Sequence, residues 1–204
     1  MRTEYGSKAK ISLAIISFLI FVAISYLIVT RETLVFDTVI REVIYGHRNE
    51  GLTFFFTMIT YLGNWQTITL ICCLFLTFPQ TRIPAGLLLS ITAILSTSME
   101  KALKITFHRQ RPDLTLHLIQ QGGHSFPSGH SMTSLVFYGM IIFLCQKNIK
   151  NKTITNIVTV LLVILIFLIG FSRIYLGVHY PTDVLGGWAI GICLLIILTS
   201  TLSL

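Results

Sequence analysis

The sequence predicts an all-α integral membrane protein, a bundle of six transmembrane helices with one amphipathic helix at the membrane interface. Hydrophobic residues make up 53% of the 204-residue chain and charged residues only 11%, with a mean hydropathy of +0.79. Soluble domains carry about a quarter charged residues. Six apolar runs are also long enough to cross a bilayer core of about 30 Å. The length fits a single membrane-embedded domain over residues 1–204.

The first crossing is predicted over residues 11–29, a charge-free run preceded by Lys8 and Lys10. A helix of that length spans the hydrocarbon core at about 1.5 Å per residue. A cleaved signal peptide is the alternative, but its apolar core is usually shorter and no small-residue cleavage site follows. We therefore expect an uncleaved first span.

Residues 34–45 are predicted to form an amphipathic helix on the membrane surface. Apolar residues recur there at three-to-four spacing, with Asp37, Arg41 and Glu42 among them. A short linker helix facing solvent would show the same pattern, so both interpretations stay open.

The second crossing is predicted over residues 52–78, where Gly63 and Asn64 interrupt an otherwise apolar run. The segment is long enough for one tilted or kinked crossing and too short for two. Four further apolar runs predict the remaining crossings: residues 84–103, 129–145, 155–171 and 184–203.

The formal net charge of +7 admits nucleic acid or anionic lipid as a partner. No long basic run occurs, and much of the charge flanks apolar segments, which favours the lipid bilayer and argues against nucleic acid. The six histidines lack the ligand spacing and the neighbouring cysteines of zinc sites. No metal ion or other cofactor is therefore expected.

Three polar segments carry the candidate chemistry, and the central one is Phe-Pro-Ser-Gly-His-Ser at residues 126–131. It predicts a helix start, with Ser128 or Ser131 as the cap. The first turn of such a helix offers backbone N–H groups and a positive dipole end, so Ser128 and Gly129 are expected to bind phosphate. His130 would lie in the same turn, close enough to exchange a proton with the bound group.

The other two segments supply cations and a second histidine. Their signature positions are Lys104, Arg111 and Pro112 upstream, and Ser172, Arg173, His179 and Asp183 downstream. With Pro-Ser-Gly-His between them, they form a tripartite signature that resembles that of the type 2 phosphatidic acid phosphatase (PAP2) family. The resemblance covers nearly the whole chain and implies a membrane-embedded lipid phosphate phosphatase.

The charged residues of these segments suit phosphoryl transfer, which needs an in-line nucleophile and cations around the equatorial oxygens. Lys104, Arg111 and Arg173 would supply the cations. His179 and Asp183 are four residues apart near a predicted helix start, so the carboxylate can orient the ring and leave its other nitrogen nucleophilic.

His130 is then the second histidine of the site. A phosphohistidine route needs an acid for the leaving oxygen and a base for the attacking water, and one residue can do both in sequence. The family resemblance implies the same assignment: His179 forms the phosphoenzyme, Asp183 orients it and His130 handles the proton. It also implies that no metal ion takes part.

Membrane topology brings the three motifs to one face. The first two lie between predicted crossings three and four, and the third lies between crossings five and six. The opposite face carries the basic residues Arg2, Lys8, Lys10, Arg82, Lys147, Lys150 and Lys152. By the positive-inside rule that face is cytoplasmic, which predicts a plasma-membrane protein whose site faces outward.

Residues beside the first motif carry weaker expectations. Glu100 stands four residues before Lys104 and is expected to pair with it. His108, Arg109 and Asp113 could contact a headgroup or stay solvated in the loop.

Among the reactions that the family resemblance implies, the favoured one is hydrolysis of phosphatidylglycerophosphate to phosphatidylglycerol and phosphate. Undecaprenyl pyrophosphate stays an alternative substrate, because nothing in the sequence indicates which type of lipid tail the protein binds. The signature also resembles that of vanadium-dependent haloperoxidases, but those are soluble and six apolar runs argue against them. A non-enzymatic transporter or scaffold is more remote, since a transporter would hold charges mid-membrane and here they cluster at the predicted edges.

Overall fold

The computed structural model describes residues 2–31 and 34–201, with side chains from residue 8 onward. This part of the chain is helical and contains no β-strand. Its helices are α1 (Arg2–Thr30), α2 (Val35–Gly46), α3 (Glu50–Tyr61), α4 (Trp65–Thr77), α5 (Pro79–Thr81), α6 (Leu88–Phe107), α7 (Gly129–Asn148), α8 (Lys152–Tyr175) and α9 (Pro181–Thr201). Residues 202 and 203 of the last predicted crossing, and the side chain of Arg2, lie outside the described part.

Five stretches of this chain are helical, long and apolar enough to cross a membrane, and α3 with α4 makes a sixth when that pair is counted as one span. The pair bends by 45° between its two helices, at the Gly63-Asn64 break where the sequence predicts a kink. The prediction of an all-α bundle with six crossings is therefore confirmed. The third span begins earlier than predicted, at Pro79, because α5 and a π-helical turn (Arg82–Leu87) lead directly into α6.

α7 lies at the centre of the bundle, packed against α6, α8 and α9, and α1 packs against α9. In α7 the side chains of Met132, Val136, Phe137 and Met140 are fully buried. Helices α1 and α8 instead expose most of their apolar side chains, as expected where a helix faces lipid. A residue at the start of α7 is therefore held inside the bundle.

The loop after α6 and the loop after α8 meet at one end of the bundle. Leu118 N–H donates to the Leu176 carbonyl at 2.9 Å, and Ser128 N–H donates to the Asp183 carbonyl at 3.0 Å. α6 stops at His108, whose backbone is left-handed at φ 47°. The three motifs thus converge, as the topology predicts.

α2 occupies the segment predicted as amphipathic, and Val35, Val39 and Val43 are exposed along it. Asp37, however, is only 1% exposed. It accepts hydrogen bonds from Thr182 N–H at 2.9 Å and Thr182 Oγ1–H at 2.7 Å, and it pairs with Arg109 at 2.7 Å. Asp37 therefore fastens α2 to the start of α9, a role that the local sequence pattern does not reveal.

We expect Asp37→Ala to lower the free energy of unfolding by about 3 kcal/mol, because it leaves a buried guanidinium and a backbone N–H short of a partner. The loss is measurable as a lower melting temperature of the purified protein in detergent. Glu42→Ala is the matched control, since Glu42 is exposed on the same helix. Equal melting temperatures for the two variants would contradict the anchoring role.

Candidate active site

A cavity of about 510 Å³ lies where α6, α7 and the two loops come together. Five of the residues predicted from the motifs line it: Lys104, Arg111, Gly129, His130 and His179. The other three, Ser128, Arg173 and Asp183, are buried in the surrounding protein. The structure therefore brings the three motifs to one place.

His179 lies in the loop between α8 and α9 and is 1% exposed. Its Nδ1 is 3.3 Å from Asp183 Oδ2, and its Nε2 is 3.1 Å from Arg111 Nη1. A guanidinium can only donate, so Nε2 accepts and the ring proton is on Nδ1. The ring is thus held as the neutral tautomer that carries its lone pair on Nε2.

Burial lowers the pKa of His179 well below the ordinary value of 6.5, and the positive charges of Arg111, Arg173 and Lys104 act in the same direction. The imidazole therefore stays unprotonated at neutral pH. A neutral imidazole is the form that can attack phosphorus.

Asp183 lies in the first turn of α9 and has no solvent exposure. Besides His179, it accepts from Tyr180 N–H at 2.8 Å, from the Ser125 hydroxyl and, through Oδ1, from Arg109 Nη1 at 2.6 Å. These donors fix the carboxylate, which in turn fixes the His179 ring.

Arg109 bridges two buried carboxylates, Asp183 and Asp37. Burial acts to lower the pKa of Arg109, but the charges of Asp183 and Asp37 outweigh it and the net effect is a raised pKa. The sequence left open whether Arg109 contacts a headgroup or is a solvated loop residue, and its buried ion pairs with two carboxylates contradict the second interpretation. Asp113, by contrast, is an exposed loop residue that accepts from Thr115 N–H.

Arg173 lies in the last turn of α8, with its guanidinium inside the protein. Nη1 donates to Thr60 Oγ1 at 2.7 Å and Nη2 to Gln121 Oε1 at 2.6 Å, whereas the buried Nε has no partner. Both partners are neutral, so the positive charge is not cancelled. A buried cation with a free N–H is suited to an anion.

Lys104 lies in the last turn of α6 and pairs with Glu100 at 2.7 Å, as the four-residue spacing predicts. A side chain added at Gly129 would approach the Glu100 carboxylate to 2.5 Å. A larger residue at the start of α7 would therefore require the Glu100 carboxylate to move from its place beside Gly129.

Ser128 caps α7, and its Oγ accepts from Ser131 N–H at 3.4 Å and from Ser131 Oγ at 2.9 Å. This is the cap that the motif predicts. Ser128 does not line the cavity, so its hydroxyl acts on the helix start here and Gly129 is the residue that faces the cavity.

His130 lies in the first turn of α7, and its Nε2 is 2.6 Å from the side-chain oxygen of Asn64. Thr60, Asn64 and Gln121 thus contact the predicted site residues although they lie outside the motifs. For Thr60 and Asn64 the sequence signal was the Gly63-Asn64 break in an apolar crossing, which local pattern alone explains as a kink.

The cavity extends away from the charged residues between α4 and α6. Ala93 lines it about 16 Å along α6 from Lys104, at 1.5 Å per residue. Trp65 and Ile94 also line it and are 71% and 64% exposed, so the cavity reaches the apolar outer surface of the bundle. In the described part of the chain, no group of three or more His, Cys, Asp or Glu side chains is arranged to hold a metal ion.

The fold and this site define a multi-pass membrane protein in which histidine, arginine and lysine side chains line a cavity at one end. Residues 83–203, more than half of the chain, match the PAP2 superfamily, and the chain belongs to that superfamily. It is similar to phosphatidylglycerophosphatase B of Bacillus subtilis, with 37% identity over 113 residues that make up 53% of this chain and 54% of the relative.

Two further similarities agree with this assignment. An undecaprenyl-diphosphatase of Sulfolobus acidocaldarius is 30% identical over 132 residues, 62% of this chain and 58% of that protein. The matches thus span little more than half of these curated relatives' own length. The crystal structure of a transmembrane PAP2 type phosphatidylglycerolphosphate phosphatase from Bacillus subtilis superposes with a TM-score of 0.83 at 29% identity, covering 93% of this chain and 96% of that one.

We expect His179 to remain neutral at pH 6.5 and to titrate only at more acidic pH. Nitrogen NMR of protein labelled at histidine measures this, with His179→Asn identifying the resonances. Arg111→Gln should move the titration to higher pH by removing a neighbouring positive charge, whereas Lys150→Gln, at the other end of the bundle, should not. A His179 that is protonated at pH 6.5 in the wild type would contradict the expectation.

Proposed function

We propose that this protein hydrolyses the phosphate ester of a membrane lipid through a phosphohistidine intermediate. The observation that carries the proposal is the shared cavity: His130, His179, Lys104 and Arg111 line its polar end, and its other end opens on the apolar surface. A lipid phosphate has the matching form, with an anionic headgroup and tails that remain in the bilayer.

His179 would be the nucleophile and Asp183 the residue that orients it. A bound phosphate would accept the N–H groups of Arg111, which frees the Nε2 lone pair to attack phosphorus. As the N–P bond forms, the bond from phosphorus to the lipid oxygen breaks. The carboxylate of Asp183 stabilises the positive charge that develops on the ring.

His130 would give a proton to the departing lipid oxygen and then take one from the water that attacks the phosphohistidine. The second step releases inorganic phosphate and restores both rings. Lys104, Arg111 and Arg173 would hold the equatorial oxygens, and the backbone N–H of Gly129 would assist at the start of α7. Ser128, whose own N–H donates to the Asp183 carbonyl, would contribute as the cap of that helix. The lysine and the two arginines supply the positive charge, so the proposed reaction proceeds without a metal ion.

Phosphatidylglycerophosphate is the proposed substrate, and undecaprenyl pyrophosphate is the alternative. The first is supported by the similarity to phosphatidylglycerophosphatase B and by the structural match. The second is supported by the similarity to an undecaprenyl-diphosphatase. Both are amphiphiles with a phosphate at the membrane surface.

The site is proposed to face the outer side of the plasma membrane. α7 carries Lys147 about 27 Å from Gly129 at 1.5 Å per residue, and α8 starts at that distant end with Lys152. The positive-inside rule assigns such a basic end to the cytoplasm.

Phosphate release from phosphatidylglycerophosphate in detergent micelles containing EDTA tests the reaction. We expect release by the wild type, a loss on the order of a thousandfold or more in His179→Ala, and normal release by Lys150→Gln. Competition between phosphatidylglycerophosphate, undecaprenyl pyrophosphate and phosphatidic acid ranks the substrates. A folded wild-type protein that releases phosphate from none of these lipids would contradict the proposed enzyme activity and favour a carrier or scaffold.

The orientation is tested with single cysteines placed at Asp113 and at Lys150 in a variant lacking the four native cysteines. We expect a membrane-impermeant thiol reagent to label the first position and spare the second in intact cells, because both side chains are exposed at opposite ends of the bundle. The reverse labelling pattern would assign the site to the cytoplasmic side.

A further inference from the structure

The segment of residues 60–64, which comprises the last residues of α3 and the break before α4, contacts the helices that carry Arg173 and His130. Three hydrogen bonds join it to them: Thr60 Oγ1 accepts from Arg173 Nη1 at 2.7 Å, the Leu62 carbonyl accepts from Tyr138 OH at 2.6 Å, and Asn64 Oδ1 lies 2.6 Å from His130 Nε2. No residue of the break belongs to the three motifs. The second crossing is therefore bent around the site.

Asn64 occupies the N-cap position of α4, where an asparagine usually accepts a hydrogen bond from the backbone of its own helix. Its side chain makes no such bond. Asn49 and Asn151, which cap α3 and α8, do accept from their own helices. Asn64 thus leaves the local capping bond unmade and contacts His130 on another helix instead.

Gly63 brings the backbone of the break against the same edge of the His130 ring. A Cβ at this position would lie 2.7 Å from Ile169 Cγ2 and 3.1 Å from His130 Cδ2. Cδ2 and Nε2 are neighbours in the ring, so this edge faces the break and the opposite edge, with Nδ1, faces away from it. His130 also lines the cavity.

We propose that Asn64 is a positioning residue for His130. Its side-chain oxygen can only accept, so it keeps a proton on Nε2 and leaves Nδ1 as the nitrogen that exchanges protons with the substrate. This rests on the proposed function for the acid–base role of His130. In the protonated ring, which carries a proton on each nitrogen, Nδ1–H gives its proton to the lipid oxygen as the P–O bond breaks, while Nε2–H stays hydrogen-bonded to Asn64. The ring is then the neutral Nε2–H tautomer, and its Nδ1 takes a proton from water as the water oxygen attacks phosphorus.

The neutral partner suits the charges that surround His130. The electrostatic neighbours of His130 are Lys104 on α6, Arg111 in the following loop, Arg173 on α8 and the His179 ring. The carboxylate of Glu100 is paired with Lys104. His179 has a carboxylate partner, which favours a positive ring. An amide partner on His130 orients the ring without holding the proton that the ring has to release.

Asn64→Ala and Asn64→Asp test the proposal, with Asn151→Ala as the control that removes a capping asparagine at the other end of the bundle. We expect Asn64→Ala to lower kcat by on the order of tenfold to a hundredfold, since general acid–base catalysis depends on a positioned group, with KM changed by less than about twofold. In Asn64→Asp the carboxylate stabilises the protonated ring, so the alkaline limb of the kcat profile should move to higher pH. Asn151→Ala should leave kcat and the profile unchanged.

Nitrogen NMR of histidine-labelled protein provides a readout that does not depend on turnover, with His130→Gln identifying the His130 signals. We expect a single tautomer with the proton on Nε2 in the wild type and a mixture in Asn64→Ala. If the wild type hydrolyses no lipid phosphate, the proposed function fails, and the tautomer measurement still decides for or against positioning by Asn64.

Two results would overturn the proposal. The first is an Asn64→Ala variant with wild-type kcat or an unchanged His130 tautomer. The second is a loss of kcat in Asn64→Ala that comes with a lower melting temperature, while Asn64→Asp leaves the pH profile where it was. The second result would assign Asn64 to helix stability alone.

Discussion

The buried carboxylate of Asp183 is the interaction on which the site depends. It receives hydrogen bonds from four residues: His179, Tyr180, Ser125 and Arg109. The first two lie in the loop before α9, and the other two lie in the loop between α6 and α7. An ionised carboxylate without partners would be strongly disfavoured in a protein interior. The same donors that make its burial tolerable therefore hold the three motifs together.

The buried cations near the site divide into two kinds. Arg109 lies between two carboxylates, and its charge is balanced within the protein. Arg173 is held by the neutral side chains of Thr60 and Gln121 and keeps an N–H group without a partner. The first kind stabilises the fold, and the second leaves its positive charge available to an anion. A buried arginine can therefore have either role, and the residue type alone does not tell which.

Much of the architecture could be predicted because it depends on residue patterns that are local in the sequence. The crossings are long apolar runs, and the cap at Ser128, the Glu100–Lys104 pair and the His179–Asp183 pair follow from spacings of three or four residues. The contacts that the sequence does not reveal join distant segments: Asp37 with Thr182, and Asn64 with His130. Asp37 and Asn64 each stand where an ordinary local role, a polar helix face or a helix cap, would account for them.

The break at Gly63-Asn64 likewise illustrates how one irregularity can serve several purposes. A continuous helix there would satisfy its own backbone groups, but it could not present the Leu62 carbonyl and the Asn64 side chain to α7. The bend has turn hydrogen bonds of its own, from Gly63 N–H to the Thr60 carbonyl at 3.0 Å and from Asn64 N–H to the Tyr61 carbonyl at 3.1 Å, and the bonds to the centre of the bundle add to them.

The side opening between α4 and α6 sets how a lipid would meet this protein. A headgroup could enter while its tails stay among neighbouring lipids, so the chains would not have to be transferred through water. Encounters would then take place by diffusion within one leaflet, and the quantity that governs saturation would be the mole fraction of substrate in that leaflet. Diluting the membrane with inert lipid would slow the reaction even when the amount of substrate per volume of solution is unchanged.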